Sequence, residues 1–157
     1  MRSIQTTVGR SFLVALDDGE DFMTGLTAFC AEREVRSGSL SFIGGFRSAR
    51  LVGSCTPLKN PEAPLWDEVS VEYLEVFGGG TLAWDTEENV LAPHIHVAAG
   101  IKGASADGRV SHLLEAAVQF ICEITVVEFT GGGGEPPLTR HRAPELYNVP
   151  LLGFATR

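Results

Sequence analysis

Three of the four histidines fall within a window of nineteen residues: His94 and His96 in Pro93-His94-Ile95-His96-Val97, and His112 in Val110-Ser111-His112-Leu113. Neutral imidazole is a common metal ligand, and three protein ligands with an open position make up the usual catalytic type of zinc site. Side chains alternate along a strand, so His-x-His sends His94 and His96 to one face and Ile95, Val97 and Ala99 to the other. A turn at Ala106-Asp107-Gly108 would fold the chain back and carry His112 to the same place. The pattern predicts a divalent-metal site on His94, His96 and His112, with zinc the expected ion; the plain alternative is a polar strand face with no ion. Glu75 and Glu115 are the carboxylates that could orient an imidazole, complete the site or act as a base.

Other chemistries fit less well. A cupin barrel also offers His-x-His but wants a glutamate a few residues later, where this chain has Val97-Ala98-Ala99-Gly100. No Gly-x-Ser-x-Gly occurs, and Ser111 beside His112 is mere adjacency, so nucleophilic catalysis is set aside. The glycines at 131–134 run into Glu135-Pro136-Pro137 with no Gly-Lys-Ser/Thr, which makes them a connector instead of a phosphate cradle.

The elements that must hold these residues can be read from hydrophobic period and turn chemistry. A strand is expected over 13–16. A helix follows, capped by Asp18, with Phe22, Leu26, Phe29 and Cys30 on its apolar face and Arg33, Arg36 and Gly38 at its end. Strands are expected over 40–43 and 50–55 around a turn or bulge at Gly44-Gly45, opening an antiparallel meander. The proline-rich stretch 57–67 reads as a loop, Gly78-Gly79-Gly80 as a hairpin turn between 69–77 and 81–84, and 87–92 as an exposed loop. Further strands are expected over 94–101, 110–118 and 121–129, with an edge strand over 149–154. The whole, 1–157, is expected to form one α/β (α+β) domain.

Composition excludes several classes. With 157 residues, 44% apolar and 20% charged, the chain can bury a full core, and no run approaches the roughly 20 apolar residues of a membrane helix. The net charge of −8, with twelve basic residues of which no five sit together, argues against gripping duplex DNA by charge alone. Arg140-His141-Arg142 is the nearest thing to a basic cluster and reads as a solvated loop. The start of the sequence has no apolar signal region, giving a cytoplasmic expectation. Cys30, Cys55 and Cys122, widely spaced and without Cys-x-x-Cys, are expected to be reduced core residues.

Four short motifs, taken in order, resemble the plants-and-prokaryotes conserved (PPC) domain. They are Gly19-Glu20-Asp21-Phe22; the run from Gly38-Ser39-Leu40 through Phe42-Ile43-Gly44-Gly45-Phe46; 71–82 with its glycines after Glu75; and His94-Ile95-His96-Val97 before Asp107-Gly108-Arg109. The resemblance covers nearly the whole chain. It implies an antiparallel or mixed sheet packed on one main helix, and a homotrimer built through sheet surfaces. Similar plant domains accompany AT-hooks in DNA-binding proteins; this chain has none and resembles the stand-alone prokaryotic form, which carries a DNA-binding label by association. Where relatives have Gly-Gly-His-Leu, this chain has Val110-Ser111-His112-Leu113. Pro137-Leu138-Thr139-Arg140 resembles the family's closing segment, with Arg140 a candidate interface residue. The functional expectation is a homotrimeric DNA-binding or regulatory assembly module with a three-histidine divalent-metal site; the alternative is a metal-dependent enzyme acting on a small molecule.

Overall fold

Phe22, Leu26 and Cys30 lie about one helical turn apart, and that spacing builds α1 (Phe22–Glu32), with all three side chains buried. The computed structural model describes residues 1–55, 66–104, 107–131 and 134–155. The N-cap is Asp21, three residues after the expected Asp18: its backbone is extended and its carboxylate accepts the Thr24 N–H at 2.8 Å. Asp18 is instead committed to the sheet, accepting from the Phe120 N–H at 2.8 Å and from Arg47 at 2.9 Å. The helix stops earlier than Arg36 and Gly38 would have it. Glu34 takes the left-handed conformation (φ 55), its N–H bonds Ala31 O, and the Val35 N–H bonds Cys30 O at 2.8 Å. This Schellman ending places Val35 as its buried hydrophobic partner.

The strands are β1 (Thr7–Asp17), β2 (Gly38–Cys55), β3 (Trp66–Asp85), β4 (Val90–Gly100), β5 (Gly108–Thr130), β6 (Leu138–His141) and β7 (Leu151–Phe154). Sheet order is β1-β5-β2-β3-β6-β7, with β4 pairing both β3 and β5, so the pairing runs in a ring through β2, β3, β4 and β5. All pairs are antiparallel except β3 with β6, which makes the sheet mixed. One face buries Leu40, Phe42, Val76, Ile95, Val97, Ile124 and Val126 with the helix. The Phe22 ring sits 4.8 Å from Phe42 and 5.4 Å from Phe46, centroid to centroid.

Several expected turns are strand interiors. Gly78-Gly79-Gly80 lies inside β3, paired on both sides: Gly78 with Phe42 and Val97, Gly80 with Leu40 and Ile95. A Cβ on Gly80 would lie 2.1 Å from the His94 carbonyl oxygen, and one on Gly78 would lie 2.3 Å from the Phe42 ring. Glycine serves close approach here and not chain reversal. Gly44-Gly45 also stays in a strand, at a register shift opposite Cys122 and Gln119, so its reading as a bulge holds. Phe120, with φ 65, takes up that irregularity, and 110–118 and 121–129 merge into one strand. Residues 90–92, expected in a loop, begin β4. Trp66 and Asp67 begin β3; residues 57–65 of the expected loop, Ala106 of the expected turn and residues 132–133 of the connector lie outside the described residues. Cys30 and Cys122 are free and buried, and burial raises their thiols to about 11 and about 12, too high for thiolate chemistry near neutral pH. Among the described residues, no helix is long and apolar enough to cross a membrane.

Candidate metal centre

Register decides how the histidines meet. β3 and β4 pair Thr81 with His94 and Gly79 with His96, while β4 and β5 pair His96 with His112. Residues directly opposite across an antiparallel pair share a face, so all three imidazoles stand on the side of the sheet away from the buried Ile95 and Val97. Their ligand atoms lie within 4.8 Å of one another, and among the described residues this cluster contains no other group.

The His94 and His96 Nε2 atoms are 3.2 Å apart. With one Nε2 protonated this is a hydrogen bond. Two nitrogens bound to one tetrahedral zinc at about 2.0–2.1 Å would lie roughly 3.3 Å apart, so the spacing already matches one edge of such a site. His112 meets the pair ring against ring, its centroid 4.9 Å from His94 and 5.5 Å from His96. Three imidazoles in this arrangement are able to chelate a divalent cation and leave coordination positions open.

The protonation states favour ligation. Burial, followed by the neighbouring imidazoles and Arg140, pushes His112 down to about 4, so it is neutral at physiological pH. His94 is lowered too, by burial first and then by Arg140 and His96.

Arg140 lies on β6, opposite Asp85 of β3, and its side chain is turned into the chain, leaving the residue 2% exposed. Its Nη2 donates to Thr81 Oγ1 at 2.8 Å and its Nε to the Ala92 carbonyl at 3.3 Å. Thr81 is cross-strand from His94, and Ala92 is two residues along the same face of β4. Proximity to the histidines was not legible in the sequence, where Arg140 stands 28 residues after His112. Glu115 is not part of the cluster: it forms a forked ion pair with Arg50 (2.9 and 3.0 Å). Glu75 is exposed on β3, opposite Gly45 and outside the ligand group. Gly80, whose missing side chain lets β3 lie against the His94 backbone, is a positioning residue that the hairpin reading missed; its signal was a glycine run inside otherwise alternating strand sequence.

The family model of the Plants and Prokaryotes Conserved (PCC) domain matches residues 3–130. The chain belongs to this family. A metal-containing protein from Archaeoglobus fulgidus is similar to this PCC protein at 27% identity, covering 96% of this chain and 98% of its own, with a TM-score of 0.77. A PPC protein from Pyrococcus horikoshii is 19% identical over 100% of both chains, with a TM-score of 0.78. A candidate DNA-binding protein from Ralstonia eutropha JMP134 is 20% identical over 91% of this chain and 90% of its own, with a TM-score of 0.72. At those identities the last two establish the fold alone. No curated protein matches the sequence.

Proposed function

We propose that this PCC protein is a homotrimeric, cytoplasmic assembly module of regulatory type that holds one zinc ion per chain on His94, His96 and His112. The observation that carries the reading is the convergence of three imidazoles from two strands on one point, with ligand atoms within 4.8 Å of one another. The similar Archaeoglobus fulgidus protein, described as metal-containing, supports it.

The trimer is supported by the same sheet face that carries the histidines. Leu13 (88% exposed), Phe77 (65%) and Ile43 (54%) line a shallow apolar groove there. Ile43 pairs directly with Phe77, and Phe77 with Ala98, two residues beyond His96. Exposed large apolar side chains grouped on a sheet face are what a second copy would cover. DNA enters through the name of the Ralstonia relative, and a charge of −8 favours contact through partners over direct phosphate binding. The alternative of a metal-dependent enzyme rests on the open coordination positions, but no carboxylate base stands in the ligand group.

The test is elemental analysis and sedimentation on purified, untagged protein, wild type beside His96→Ala. The expected result is about one zinc per chain in a particle of three chains, with the metal lost in the variant. Metal-free wild type would remove the site, and a monomer would remove the assembly. A mobility shift with duplex DNA at low salt would move the reading toward direct DNA binding.

A further inference from the structure

A guanidinium that is nine-tenths buried normally has a carboxylate beside it, because an uncompensated charge out of water is costly. Among the described residues Arg140 has none; its partners are a threonine hydroxyl and a main-chain carbonyl, both neutral. The neighbouring arginine behaves differently, since Arg142 pairs with the buried Asp85 at 2.6 Å. Two of the five Arg140 N–H groups are used, at Nε and Nη2, which leaves the Nη1 pair and one Nη2 hydrogen for another acceptor. No buried side-chain nitrogen or oxygen in the described residues lacks a partner, so the unused Nη1 keeps a sliver of accessible surface although the residue is only 2% exposed. Both contacts put the guanidinium on the histidine face, against the residue cross-strand from His94.

Resting on the metal reading above, we propose that the open position of the three-histidine site takes the carboxylate of a small organic acid, one oxygen on the metal and the other on the free edge of Arg140. A divalent ion on three neutral imidazoles keeps its full charge, and Arg140 adds a second fixed cation with no acidic group in the ligand cluster. The site is thus an island of positive charge on a chain of net −8. A carboxylate supplies the missing anion to both cations at once, one oxygen to each, and the oxygen facing Arg140 can accept from the N–H groups left free on its Nη1 and Nη2 edge. A purely structural Arg140 would only tie β6 to β3 and β4.

The test uses the full chain loaded with Co²⁺, whose visible absorption reports its ligands, with acetate as the probe. Acetate is expected to change the spectrum saturably. Arg140→Gln should take up Co²⁺ with the wild-type spectrum yet bind acetate at least tenfold more weakly, with Arg140→Lys in between. Should Arg140→Gln not fold, Thr81→Val removes one anchor of the guanidinium and should weaken acetate severalfold with cobalt uptake unchanged. Cobalt uptake with no acetate response, or with the same acetate affinity in the variants, overturns the proposal alone. Absence of cobalt uptake by the wild type overturns the metal reading and the proposal with it.

Discussion

The two faces of the sheet are built from the same alternating strands yet hold their residues in different ways. On the inner face, Phe42, Ile95, Val97, Ile124 and Val126 pack with α1, and each is supported by many equivalent neighbours. On the outer face, His94, His96 and His112 stand at single positions set by the register of three strands. The inner face is a collective property of apolar area and tolerates small errors at an energetic cost. The outer face has no such redundancy, because a one-residue slip of β4 would send His94 and His96 to the core side and away from His112. Stability and site geometry are therefore separable in this protein, and substitutions can be chosen to strike one without the other.

The largest effect should come from the inner face. Phe22→Ala removes a fully buried ring that touches Phe42 and Phe46, and is expected to cost about 3–5 kcal/mol in denaturant unfolding. Metal bound per folded chain should stay unchanged; a parallel loss would show that the two faces are coupled after all. Gly80→Ala sharpens the contrast from the other side. Its methyl would meet the His94 carbonyl at 2.1 Å, so β3 and β4 must part at the ligand strand. We expect about 1–3 kcal/mol of destabilisation together with a drop of roughly tenfold or more in zinc affinity by competition titration. Unaltered affinity would mean that the imidazoles adjust freely to the backbone.

The smallest effect tests a charged residue among the buried ones, Glu128. Glu128 is nearly buried and accepts from Arg10 Nε and Nη2 at 2.7 Å each and from the Arg10 N–H at 3.2 Å. The Arg10 hydrogen bonds, outweighing burial, hold its carboxyl below the usual range. Since the folded pKa is depressed, the stabilisation is fully present above the unfolded carboxylate pKa and is lost as pH falls through the folded value. Unfolding free energy measured from pH 7 downward should therefore decline less steeply in Glu128→Gln than in wild type. Equal slopes would show that other carboxylates govern the acid limb.

Some of this was legible in the sequence alone. Helical period in Phe22, Leu26 and Cys30 located α1, and His-x-His placed two imidazoles on one face whatever the strand's partners, because alternation is a local property of extended backbone. The helix ends shifted by a few residues for a definite reason: Asp18 had a better use at the Phe120 irregularity, and Glu34 took the left-handed position that glycine usually holds. The glycine runs misled more seriously. A glycine that permits a turn and a glycine that permits a neighbouring backbone to come close look identical in sequence, and only the strands on either side of Gly78 and Gly80 distinguish them.

The sequence by itself determined the face of each histidine on its own strand, the apolar stripe of the helix and the inert character of its buried cysteines, since these follow from local period and residue chemistry. Only the tertiary structure decided that His112 lies opposite His96, that Glu115 is held by Arg50 away from the cluster, and that Arg140 reaches Thr81 from β6. Those facts depend on which strands pair and in what register, and register is selected by the summed burial of the whole sheet, not by any short stretch of chain.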